Sequence, residues 1–226
     1  MIVRKWLVGL AGVLLFASGS QAFAAFDDLD NTLDKKKIEY LDEYHILTGM
    51  TDTKYAPERA LNTAQGVSAL VKGLDLNLDN MRFIKKPEAS DYYTRISNEA
   101  WYSNDMIVAY LNGLDIPADV DVTAAMTRGQ FATLLWQAVE QVDPDINESG
   151  GNNIASATAN EEIADDNSLT AMDQQMLQQV IHREIATLDS KNKFYPDEPI
   201  TRAEAAVMLY NAIELTGKLG NVGTIE

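Results

Sequence analysis

The stretch Phe194-Tyr195-Pro196-Asp197-Glu198-Pro199-Ile200-Thr201-Arg202-Ala203-Glu204-Ala205-Ala206 reads as a loop running into a helix. Pro196 and Pro199 keep the approach extended, because proline disfavours helical angles in the residue before it. Thr201 is placed to act as N-cap, its hydroxyl accepting the backbone N–H of Glu204. Glu204 is placed to reach back to the N–H of Thr201. Such a capping box satisfies two donors that a helix start otherwise leaves unpaired. The helix behind it, expected from Ala203 to Leu215, carries Val207, Met208, Leu209, Tyr210, Ala212 and Ile213. It is apolar on nearly all sides, so it belongs in a core.

Two other stretches echo this one. Met126-Thr127-Arg128-Gly129-Gln130-Phe131 opens a helix through Leu134, Leu135, Trp136 and Val139, and Leu61-Asn62-Thr63-Ala64-Gln65-Gly66 opens one through Leu70 and Val71 to about Leu74. Each start has a capping residue (Asn62, Thr127, Thr201) with Gln65, Gln130 or Glu204 three positions later. Matched starts on apolar helices indicate an internal repeat.

The run from Phe194 to Ala206, an aromatic and a proline followed by Ile-Thr-Arg-Ala-Glu, resembles the signature of the S-layer homology (SLH) family. The resemblance implies three tandem motifs in an all-α fold. Each motif is helix, loop, helix, with the capped helices as a central three-helix bundle and the first helices as outer prongs. It is closest in the third copy. The first copy departs from it, with Thr63 where the arginine belongs, and the second has Val120 at the aromatic position.

The full chain has 226 residues, with Lys+Arg 18 against Asp+Glu 34, a formal net charge of −16, and no cysteine. That acidity argues against nucleic-acid binding, which needs a basic footprint, and it disfavours docking on anionic lipid. Without disulfides an exported chain must rely on its core. Export is expected, because Arg4 and Lys5 precede an apolar run, Trp6 to Phe16, too short to span a bilayer. Ala22-Phe23-Ala24 then offers a cleavage site, giving a signal peptide over residues 1–24.

The expected organisation is repeat one at 25–76, an insertion at 77–90, repeat two at 91–142, a polar linker at 143–160, repeat three at 161–216 and a tail at 217–226. Phe26-Asp27-Asp28, Asp91-Tyr92 and Ile163-Ala164-Asp165 open the three repeats. The first helices are expected over Lys35 to Leu47, ended by Gly49, over Trp101 to Leu114, and over Thr170 to Ala186. Met81, Phe83 and Ile84 suggest one amphipathic turn in the insertion.

A cation on the first turn of a helix opposes the helix dipole, so Arg128 and Arg202 gain nothing there locally. The resemblance implies that such arginines line grooves receiving an anionic wall glycan, often one bearing a pyruvate ketal. A guanidinium suits a carboxylate because it forks onto both oxygens. The competing reading is an internal ion pair with a neighbouring repeat. Trp101, at the start of a first helix, stands where the family often has a tryptophan facing the glycan, and its indole can stack on a sugar ring. Core packing is the alternative, and Trp136, mid-helix on an apolar side, reads as core. His45 and His182 have no second ligand at a metal spacing. Asp28 to Asn31 and Asp143 to Asn147 read as turns, the second lacking the glycine and glutamate of a calcium loop. No metal, cofactor or catalytic constellation is expected. The function implied is non-catalytic attachment to the bacterial cell wall through a secondary wall polysaccharide. The alternative is an exported scaffold that assembles with other surface or S-layer proteins without binding glycan.

Overall fold

The computed structural model describes residues 26–29, 34–146 and 163–219. The expected leader, most of the expected linker and the last residues of the tail lie outside them. The described residues are all-α, in three helix–loop–helix units. The first helices are α1 (Lys35–Glu43), α3 (Ser103–Leu111) and α5 (Ala171–His182). The second helices are α2 (Thr63–Gly73), α4 (Arg128–Val142) and α6 (Arg202–Leu215). A 3₁₀ turn, Ala89–Asp91, precedes α3.

The three second helices start alike. Asn62, Thr127 and Thr201 each accept the N–H of the residue three later, and Gln65, Gln130 and Glu204 each return the contact to the cap N–H. Behind the caps lie buried faces carrying Leu70, Phe131, Leu135, Trp136 and Leu209. α2, α4 and α6 all pack on one another, and each first helix packs on the second helix of the preceding unit: α3 on α2, α5 on α4, and α1 on α6. The last contact joins the first unit to the third, closing the set into a ring.

Backbone hydrogen bonds close the same ring at the helix entrances. The N–H of Leu61 donates to the carbonyl of Ile200 at 3.0 Å, that of Ile200 to Met126 at 2.9 Å, and that of Met126 to Leu61 at 3.0 Å. All three side chains are buried. One residue into each helix the pattern repeats: Thr63 donates to Ala124, Arg128 to Glu198 and Arg202 to Arg59. Helix starts leave donors without intrahelical partners, and each unit here satisfies those of its neighbour.

The first helices are shorter than their apolar patterns suggest. α1 stops at Glu43, and His45, not Gly49, takes the left-handed conformation at φ 54°. α3 begins at Ser103, after Trp101, and stops at Leu111 before Gly113 (φ 82°); α5 stops at His182 before Glu184 (φ 57°). Each ends with the same pair of bonds. The N–H groups of His45, Gly113 and Glu184 bond Asp42, Tyr110 and Ile181, and those of Ile46, Leu114 and Ile185 bond Leu41, Ala109 and Val180. This is a Schellman ending, and the apolar residue after the left-handed position packs back onto the helix. Ile46, Leu114 and Ile185 are all buried. Burial of that residue holds the ending even where no glycine supplies the turn. In the insertion, Met81, Phe83 and Ile84 form no helical turn and are exposed. One isolated turn with nothing to pack on does not repay its nucleation.

Candidate functional site

The two arginines of the repeated motif act between units. Arg202 is 2% exposed. Its Nε donates to the carbonyl of Tyr55 at 2.8 Å, its Nη2 to that of Thr48 at 2.5 Å, and its guanidinium lies 4.5 Å from the Tyr55 ring centroid. Burial lowers its pKa, and the neighbouring tyrosine acts in the opposite sense. The same burial pushes the Tyr55 hydroxyl well above the ordinary tyrosine range. Arg128 repeats the arrangement one unit earlier. Its Nε donates to Phe194 O at 2.8 Å, its guanidinium lies 4.7 Å from the Phe194 ring centroid, and its Nη1 pairs with Glu204. Each arginine therefore reaches the next unit around the ring, bonds a carbonyl there and stacks its charge on the aromatic at that loop.

The loops that receive them are braced from behind. Asp28 accepts the N–H groups of Tyr55 and Ala56, both at 2.9 Å. Asp165 accepts those of Phe194 and Tyr195 at 2.8 and 2.9 Å. Ala56 and Tyr195 both sit at φ 60°, the conformation that turns two successive N–H groups toward one anion. Burial raises the pKa of Asp28, but the Tyr55 and Ala56 N–H groups and the charge of Lys54 oppose it, and the net position is below the ordinary carboxylate range. The bracing role of Asp28 and Asp165 is absent from the reading by sequence. Its signal was there: each acid stands two residues into its unit, before a Tyr or Phe loop.

The loop of the second unit that faces the first keeps the backbone frame but not the side chains of this pattern. The N–H of Thr94 bonds Ala118 as that of Asp27 bonds Thr53 and that of Ala164 bonds Asn192. That match makes Tyr93-Thr94-Arg95 the opening of this unit, not Asp91-Tyr92, and puts Arg95 in the place of Asp28 and Asp165. Val120 replaces the aromatic, and Asp121 folds onto Thr123 through bonds of 2.9 and 2.6 Å. The residue facing this loop from the first unit is Thr63, whose hydroxyl donates to Ala124 O at 3.4 Å.

The sequence-expected site residues thus separate. Arg202 is enclosed, and its guanidinium donates to two carbonyls of the first unit. Arg128 keeps a side chain 14% exposed beside Glu204, which serves both its own helix cap and this ion pair. Trp101 is 64% exposed, just before α3, edge-on to Tyr102 at 5.3 Å. Trp136 is buried at 1%. A cleft of about 400 Å³ lies between the first two units, lined among others by Tyr44, Lys72, Asp75, Asn77, Asn104 and Asp105. Asp105 is held there by the buried Ser68 hydroxyl. Asn104 and Asp105 follow Trp101 by three and four residues. Among the described residues there is no group of acidic, histidine or cysteine side chains able to hold a metal, and no helix long and apolar enough to cross a membrane.

Residues 177–206 match the S-layer homology domain. This segment runs from the middle of α5 through the Phe194 loop into α6, so it contains the loop that receives Arg128 and the arginine that clamps the first unit. Over these residues the chain is similar to the S-layer homology domain. It is 27% identical over 197 residues to the Exoglucanase XynX of Acetivibrio thermocellus, a match covering 86% of this chain and 17% of that one. It is 26% identical to the Amylopullulanase of Thermoanaerobacterium thermosulfurigenes, covering 86% of this chain and 10% of the relative. It is 30% identical over 109 residues to the Endo-1,4-beta-xylanase A of Thermoanaerobacterium saccharolyticum, covering 47% and 9%. The chain thus matches 17% or less of the length of these relatives. An S-layer homology domain is a non-catalytic module that anchors proteins at the cell wall, and its presence associates this chain with the cell surface.

Proposed function

We propose that the chain is exported through its 1–24 leader and attaches non-covalently to the bacterial wall by binding secondary cell-wall polysaccharide between three tandem S-layer homology motifs. The observation that carries this reading is the match at residues 177–206, on a loop-and-helix arrangement that the other two units repeat. Trp101 is the exposed aromatic for a sugar ring, since an indole presents an apolar face with an N–H at its edge. Arg128 is the more exposed of the two motif arginines, and it attracts an acidic sugar such as a pyruvylated one. Arg202 serves the grooves indirectly, by holding the Tyr55 loop in place.

The test is sedimentation of the protein with purified walls before and after the polysaccharide is stripped by acid. Binding should disappear on stripping. Trp101→Ala should weaken binding to intact walls about tenfold without changing the unfolding midpoint, the cost of a lost stacking contact of about 1 kcal/mol or slightly more. Binding that survives stripping, or that needs wall-borne protein, would instead establish a scaffold assembling with other surface proteins.

A further inference from the structure

The insertion between the first two units presents Met81-Arg82-Phe83-Ile84-Lys85-Lys86, every residue of it exposed. Ile84 is 109% exposed, Phe83 42% and Met81 38%. We propose that this loop is a lipid-docking tip, which sets Ile84, Phe83 and Met81 into the outer acyl region of a phospholipid bilayer while Arg82 and Lys86 contact headgroup phosphates.

The loop is ordered for this without being helical. The N–H of Met81 bonds Leu78 O at 2.9 Å, and Lys85 pairs with Asp91 at 2.7 Å, on the turn that leads into the second unit. Apolar side chains held in water are favourably transferred to hydrocarbon. Long cationic side chains beside them keep their charges at headgroup level while their stems lie along the apolar phase.

The mixture of chemistries selects the occupant. A wall polymer or free phosphate satisfies the cations and leaves Ile84 and Phe83 in water. A second copy brings a net charge of −16 against −16. Phosphodiester headgroups over acyl chains satisfy both sets. The chain's acidity opposes approach to such a surface, but the Debye length at physiological ionic strength is about 8 Å, so charges farther than that from the tip are largely screened. Asp79, Glu88 and Asp91 flank the tip in sequence, and Asp91 is already engaged by Lys85.

The chain has no cysteine, so Asn80→Cys in the full chain takes a single environment-sensitive fluorophore next to the tip. The probe membrane is a vesicle of phosphatidylcholine with a minor share of phosphatidylglycerol. The label should shift to the blue and be quenched by nitroxides on the acyl chains, while the same label on Glu58→Cys stays unchanged. Adding Phe83→Ser and Ile84→Ser should lower the label's response about tenfold or more, and Arg82→Gln with Lys86→Gln should weaken it and flatten its salt dependence. Wall sedimentation of these variants should equal the parent's, which separates this proposal from the anchoring function. A label blind to vesicles, or a response that persists in the serine variant, overturns the proposal. A label that shifts with protein concentration alone assigns the patch to self-association and overturns it equally.

Discussion

Arg202 shows what a locally unfavourable residue does when its partners lie in another unit. At the first turn of α6 its charge opposes the helix dipole, yet it is buried against Tyr55 and two backbone carbonyls. Arg202→Ala leaves the carbonyls of Tyr55 and Thr48 without these donors, so it should destabilise the fold by about 2 to 4 kcal/mol, read as a lower urea midpoint. The cap beside it is worth less: Thr201→Ala should cost about 1 kcal/mol in the same assay. Asp28 adds a pH dependence. Its pKa is lower folded than unfolded, so its contribution is complete above the unfolded value, about pH 4, and is lost as pH falls through the folded one. The parent should therefore lose more stability than Asp28→Asn between about pH 5 and pH 3, and equal acid sensitivity would remove Asp28 from the brace.

At the scale of the helices, Gly73 on α2 and Leu209 on α6 set how closely the central helices approach. A Cβ on Gly73 would stand 2.9 to 3.1 Å from three carbons of the Leu209 side chain, and Leu209 is 0% exposed. Gly73→Ala should destabilise by about 1 kcal/mol, because overpacking of about 1–3 kcal/mol outweighs the helix-propensity gain of about 1 kcal/mol. The penalty should shrink in a Leu209→Ala background, as a double-mutant cycle would read. What was legible in the sequence follows from range. Capping boxes span three residues and an apolar helix shows in its own composition, so the second helices could be placed closely. The ends of α1 and α5 were not legible, because a buried Ile46 or Ile185 fixes them after a left-handed His45 or Glu184, where α3 has Gly113. The partners of Arg202 lie 147 and 154 residues away along the chain, and no local spacing carries that information. Trp101 and Trp136 differ in their surroundings, which set one at 64% exposure and the other at 1%.

Across the whole molecule the three junctions are unequal. Two carry an arginine, an aromatic and a bracing aspartate, while the junction of units one and two has Thr63, Val120 and Arg95 instead. The three replacements belong together, since an arginine at position 63 would meet no ring at Val120. Thr63→Arg alone should therefore lower stability, as a buried cation short of partners does. Val120→Phe should recover part of the loss, and strict additivity of the two in urea unfolding would mean that this junction is not built on the same plan. The ring of bonds among Leu61, Ile200 and Met126 has a mechanical consequence. An open stack of repeats has end units, and tension can peel them away singly because each touches only its neighbours. Here every unit is held on both sides, so tension on the chain finds no outermost unit to unzip. The load is shared by the three junctions at once, and the arginine-free one sets the force at which the grip fails.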